Sequence, residues 1–130
     1  MDAQDMGDAL ERILVTEDEL SRRMRELAAQ IDADYQGKEL LLVGVLKGAL
    51  MVMADLSRNL HTSLAMDWMA VSSYGTGTKS SGVVRILKDL DADVHGRDVL
   101  IVEDIIDSGL TLSWLRENLL TRGAASVEIA

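Results

Sequence analysis

Val99-Leu100-Ile101-Val102-Glu103-Asp104-Ile105-Ile106-Asp107-Ser108-Gly109-Leu110-Thr111 joins an apolar run to two adjacent carboxylates and then to a short polar turn. Val99 to Ile106 reads as a strand covered on both faces, as in a parallel sheet flanked by helices. The turn Asp107 to Thr111 opens a helix that continues from Leu110 to Thr121. Carboxylates accept hydrogen bonds from both hydroxyls of a cis-diol. Gly109 lets the backbone come close to an anion, Ser108 and Thr111 add hydroxyl donors, and the amides of the helix start favour negative charge. Diol acceptors followed by a phosphate turn predict a sugar-phosphate site at the end of a buried strand.

The rest of the chain supplies the sheet around that strand. Glu39 to Leu46 is a second continuous apolar strand, and Lys47-Gly48 follows it directly. Leu64 to Tyr74 and Val83 to Leu90 read as a long hairpin, joined by the Gly/Ser/Thr-rich loop Gly75 to Gly82. Ser126 to Ala130 begins a last strand. Thr16-x-x-Glu19 is a capping box opening a helix with apolar Leu20, Met24, Leu27, Ala28 and Ile31 at helical spacing, broken by Gly37 and Lys38. Asp2 to Val15 gives a short helical pattern, and Ile13-Leu14-Val15 is expected as a brief strand. Gly48 to Leu60 has few polar positions, which predicts a helix buried on more than one side and offers a face for dimer contact.

Strands alternating with helices imply an α/β fold with a doubly wound, mainly parallel sheet. Ligands of such sheets bind beyond the carboxyl ends of the strands. Lys47-Gly48 and Glu103 to Thr111 both stand at such ends, so one composite site is expected rather than two.

Composition narrows the function. A chain of 130 residues, 48% hydrophobic and 27% charged, is expected to form a single domain over 1–130. No apolar run approaches the roughly 18 residues needed to span a membrane, and the acidic N-terminus does not resemble a signal sequence; a cytoplasmic protein without membrane contact is expected. With no cysteine there is neither a disulfide framework nor thiolate chemistry. His61 and His95 are too few and too far apart for a usual zinc site and read as exposed, while Trp68 and Trp114 read as core. The net charge of −9 argues against a nucleic-acid partner. There is no proline and no phenylalanine, where average usage would give roughly six or seven prolines. That bias is expected of an engineered or reconstructed sequence, or of one drawn from a restricted alphabet.

The segment Val99 to Thr111 closely resembles the phosphoribosyl-pyrophosphate (PRPP) motif of the type I phosphoribosyltransferases. Leu46-Lys47-Gly48 is similar to that family's pyrophosphate loop, and Ser72-Ser73-Tyr74-Gly75 to its active-site flap. With Val83-Val84-Arg85-Ile86-Leu87-Lys88-Asp89-Leu90, the pattern resembles the bacterial hypoxanthine-guanine enzymes from about Thr16 onward.

The resemblance implies purine salvage by transfer of phosphoribose from PRPP to hypoxanthine or guanine, and homo-oligomer formation. It implies that Glu103 and Asp104 engage the ribose 2′- and 3′-hydroxyls, directly or through Mg²⁺. It places the 5′-phosphate on Asp107, Ser108, Gly109, Leu110 and Thr111, and the pyrophosphate on Lys47 and Gly48, with a Leu46–Lys47 peptide that can be cis. Asp107, on its own residues a helix N-cap, is implied as the general base taking the proton from purine N7. Ser73 and Tyr74 are implied as part of a flap hairpin that excludes water.

The family's purine-reading residues come later: a lysine, a stacking aromatic and a metal-holding aspartate. None of those segments lies in these 130 residues, so the purine-side hood is expected to be missing and purine transfer by this stretch is expected to be very slow. The alternative is a non-catalytic PRPP sensor, or a fold-minimised structural protein without a purine pocket.

Overall fold

The computed structural model describes residues 2–74, 83–106 and 108–130. Five strands form one sheet: β1 (Leu40–Val45), β2 (Leu64–Tyr74), β3 (Val83–Lys88), β4 (Asp98–Val102) and β5 (Ser126–Ile129), in the order β3-β2-β1-β4-β5. β1 pairs in parallel with β2 and β4, β4 pairs in parallel with β5, and β3 closes one edge antiparallel to β2. The α/β sheet and the flap hairpin are as the sequence implies. The Gly75–Gly82 loop lies outside the described residues.

Every residue of β1 is buried, which is why its sequence is apolar throughout rather than alternating. Its side chains feed two cores. Leu41, Val43 and Val45 join Val99, Ile101 and the α4 (Leu110–Thr121) residues Leu112, Leu115 and Leu119 on one face. Leu40 and Leu42 join Leu100 and Val102 against α2 (Glu17–Asp34) and α3 (Ala49–Asn59) on the other. Each fully buried aliphatic side chain contributes about 1.5–3 kcal/mol, so these two layers hold the central strands rigid behind the site. Trp114 packs against the first core and Trp68 against the second.

Local signals set the helix ends. Thr16 Oγ1 accepts from the Glu19 amide at 3.2 Å and starts α2, and Glu17, Asp18 and Glu19 face the positive end of its dipole. Asp67 is the one buried charged side chain among the described residues, and the protein satisfies it with backbone. It accepts from the amides of Trp68 (2.8 Å), Asp91 (3.0 Å) and Ala92 (2.8 Å), and so ties the β3–β4 connection to β2.

Three expectations need correction. Ile13, Leu14 and Val15 form no strand and are 53%, 75% and 60% exposed; the regular N-terminal structure is a one-turn helix α1 (Ala3–Met6) and a 3₁₀ turn (Gly7–Ala9). The strand expected to reach Ile106 ends at Val102, because the pairing with β1 stops at Gly44–Val102 and that with β5 at Ile101–Ile129. α3 is buried along one stripe only, Ala49, Met53 and Leu56, and leaves Leu50 and Met51 exposed.

Candidate active site

β1 and β4 are adjacent and parallel, so the connections leaving their carboxyl ends must emerge side by side. From β1 the chain passes through a cis Leu46–Lys47 peptide into Gly48 and α3. From β4 it passes through Glu103 and Asp104 to Gly109 and α4. The two connections touch: a Cβ built on Gly48 would lie 2.5 and 2.6 Å from the carboxylate oxygens of Asp104. Lys47-Gly48 and the acidic pair are thereby brought to one place.

Beside that contact lies a cavity of about 290 Å³, lined among others by Leu46, Val71, Glu103, Ile106, Gly109 and Thr111. Glu103 Oε1 accepts from the Asp104 amide at 3.0 Å, which turns the first carboxylate back toward the chain. Asp104 and Lys47 are exposed. Gly109 has φ +76°, a left-handed conformation that a side chain would strain, and as the residue before α4 it provides no side-chain cap. Ser108 Oγ accepts weakly from the Leu110 amide, at 3.5 Å. A glycine turn leading into a helix start is a ready seat for an anion.

Of the residues singled out in the sequence, Lys47, Gly48, Glu103, Asp104, Ser108, Gly109, Leu110 and Thr111 all gather at the carboxyl ends of β1 and β4. Ser73 and Tyr74 end β2, their backbones paired with Val84 and Val83, two residues beyond the cavity-lining Val71. Asp107 lies outside the described residues. Among those described, no group of three or more His, Asp or Glu is arranged to hold a metal by itself. His61 and His95 are exposed and take no part.

The family model for the phosphoribosyl transferase domain matches residues 14–130. This chain belongs to the phosphoribosyltransferase family. It is 52% identical over 126 residues to a hypoxanthine-guanine phosphoribosyltransferase of Mycobacterium bovis, covering 92% of this chain and 62% of that relative. It is 53% identical over 120 residues to one of Bacillus subtilis, covering 92% and 67%. A solved hypoxanthine phosphoribosyltransferase from Staphylococcus aureus superposes with a TM-score of 0.91 at 45% identity, over 97% of this chain and 68% of that one. The chain thus spans a little under two thirds of the mycobacterial phosphoribosyltransferase it resembles.

The apolar wall of the cavity was not read from sequence. Val45, Leu46, Val71, Ile105, Ile106 and Leu112 line it, and strand periodicity marks such residues only as core. One signal was present. Ile105 and Ile106 lie between two carboxylates and a glycine turn, where a solvated loop has no use for them, and they are 72% and 62% exposed.

Proposed function

We propose that this chain binds PRPP and belongs to an enzyme that transfers its phosphoribose to a 6-oxopurine, hypoxanthine or guanine. The observation that carries the reading is the closeness of Gly48 to Asp104, which supports reading Lys47-Gly48 as a pyrophosphate loop beside diol acceptors and a phosphate-binding turn. In this reading the amides of Ser108 to Thr111 hold the 5′-phosphate. Glu103 and Asp104 accept from the ribose hydroxyls, and Lys47 with the Gly48 backbone meets the pyrophosphate.

At C1′ the bond to purine N9 forms as the bond to pyrophosphate oxygen breaks, the electron pair leaving with pyrophosphate. Asp107 takes the proton from N7. Holding both ends of the sugar fixes C1′, and such positioning is worth up to about 7–11 kcal/mol. The flap strand ending at Ser73 and Tyr74 excludes water from an oxocarbenium-like centre.

Glu103 and Asp104 are hard oxygen donors of the kind Mg²⁺ takes, and that ion needs few protein ligands because it keeps water and shares substrate phosphates. When bound there it would neutralise charge on the leaving pyrophosphate. We further propose that residues 1–130 act as one domain, in the cytoplasm, and self-associate through the exposed Leu50 and Met51 of α3, 49% and 73% accessible; sedimentation showing only monomer at high concentration counts against that.

The deciding experiment is a calorimetric titration with PRPP, with and without Mg²⁺. Saturable binding that needs the ion is expected. Asp104→Asn, which weakens charged hydrogen bonds worth about 1.5–3 kcal/mol, should reduce affinity roughly 10- to 150-fold. No binding in either condition removes the proposal.

A further inference from the structure

We infer that Gly48 is a positioning residue for the Asp104 carboxylate: a side chain at 48 would occupy the space the acid needs. The inference rests on the reading of Asp104 as an acceptor for ribose hydroxyls. Gly48 sits at φ −58°, ψ −39°, an ordinary right-handed helical conformation open to any residue. Backbone freedom therefore does not explain this glycine. Space does. A Cβ there would stand 2.5, 2.6 and 2.8 Å from Oδ1, Oδ2 and Cγ of Asp104, against 3.4–4 Å for ordinary contact.

Of the other described glycines, Gly123 also meets a side chain, the His95 ring, but its φ of +92° already favours glycine. Gly7, Gly37, Gly96 and Gly109 all have positive φ and nothing within 4 Å of an added Cβ. Gly44 faces the Trp68 ring and Met53, inside the core. Gly48 alone among these is kept bare by a carboxylate. Asp104 is exposed, so an added methyl would push the acid aside rather than unfold the strands beneath it. The pyrophosphate end and the ribose end of the site are thus coupled through one missing side chain.

The test is Gly48→Ala. Carbon-13 NMR of the aspartate carboxylates should show the Asp104 resonance displaced, while the amide resonances of β1 and β4 stay in place. Two probes then separate the routes by which the variant acts. Ribose 5-phosphate carries the diol and the 5′-phosphate but no pyrophosphate, so Gly48 can reach it only through Asp104. Affinity for ribose 5-phosphate and for PRPP should fall by a similar factor, about fivefold or more, the scale of one misplaced hydrogen bond.

An unmoved Asp104 resonance overturns the inference. So does a variant that weakens PRPP and leaves ribose 5-phosphate untouched, since Gly48 would then act on pyrophosphate itself. If the wild-type protein binds neither sugar phosphate, the functional reading falls, and the Asp104 resonance, which needs no ligand, decides the contact by itself. Should Gly48→Ala unfold the protein, adding Asp104→Ala must restore the fold; failure to do so also overturns the inference.

Discussion

At the amino end of the sheet, Asp32 accepts from the amides of His61 and Thr62 and from the Thr62 hydroxyl, at 2.7–3.1 Å. Asp89 pairs with Arg122 at 2.8 Å, and Asp98 accepts from Ser126 Oγ at 2.7 Å. At the carboxyl end, Asp104 stands exposed against a bare glycine. The residue type is the same and the surroundings are opposite. A carboxylate whose donors come from its own chain fastens loops together, whereas one left facing solvent at a strand end keeps its acceptor sites for hydroxyls and cations. Changes to the amino-end carboxylates should therefore move stability and spare ligand binding, and changes to the polar side chains of the carboxyl-end site should do the reverse.

The largest effect expected is at the carboxyl end. Ser108→Asp places a carboxylate where the 5′-phosphate would sit, in a turn built from amides and a helix start. Repulsion at that distance, on top of the lost donor, should weaken PRPP more than about a hundredfold, with the melting temperature little changed. Unchanged affinity would remove the phosphate-turn assignment and with it one side of the comparison.

Next comes acid stability at the amino end. Burial by itself would raise the pKa of Asp32, but hydrogen bonds from Thr62 and His61 outweigh it and hold the carboxyl at about 2, below the usual 3.8. Because the folded value is depressed, the stabilisation is fully present above pH 3.8 and is lost as pH falls toward 2. The loss amounts to about 1–2 kcal/mol after allowing for solvent screening. Urea unfolding followed between pH 5 and 2 should show this slope in the wild type and a flatter one in Asp32→Asn. A variant with the wild-type slope would show that the clasp is not what acid breaks.

These cases bear on how far the sequence could be read. The strands and helices around Lys47-Gly48 and Glu103 to Thr111 were legible because burial on both faces demands unbroken apolar runs, and because turn and cap residues have local causes. The end of β4 was not. Ile105 and Ile106 continue the apolar pattern, and only the extent of β1 and β5 beside them stops the ladder at Val102. The Ile13–Val15 strand failed for the same reason: an apolar triplet with no partner stays exposed. Site residues were legible where chemistry sits in consecutive positions, and illegible where it depends on packing. The Asp67 anchor and the Gly48–Asp104 contact join segments 24 and 56 residues apart, and nothing local marks either.

Two glycines that read alike in sequence should part in the laboratory. Gly109 precedes α4 at φ +76°, with open space around it, while Gly48 precedes α3 at φ −58° with no open space. Alanine at 109 forces a side chain into the left-handed region at about 1–2 kcal/mol, a fall of roughly 4–7 °C in melting temperature for a domain of this size. Alanine at 48 should leave the melting temperature close to that of the wild type, since the Asp104 side chain can swing aside. Equal losses of stability in the two variants would mean that conformation, not space, governs both positions.

The smallest effect is expected at the Asp89–Arg122 pair. The hydrogen bond from Arg122 is the main cause holding the Asp89 carboxyl below its ordinary value, with burial opposing it. The two side chains are 50% and 30% exposed, so water screens the pair and the net gain should be about 0–1 kcal/mol. Arg122 also caps the carboxyl end of α4, where a cation favours the helix dipole by a few tenths of a kcal/mol. Arg122→Gln should accordingly lower the melting temperature by no more than a few degrees. That loss should shrink as salt is raised, because the pair it removes is itself screened. PRPP affinity should stay within about twofold of the wild type, since the pair lies at the end of the sheet away from the phosphate turn. A tenfold loss of affinity without a change in melting temperature would show that the amino end reaches the site through α4, and the division of labour between the two ends of the sheet would have to be given up.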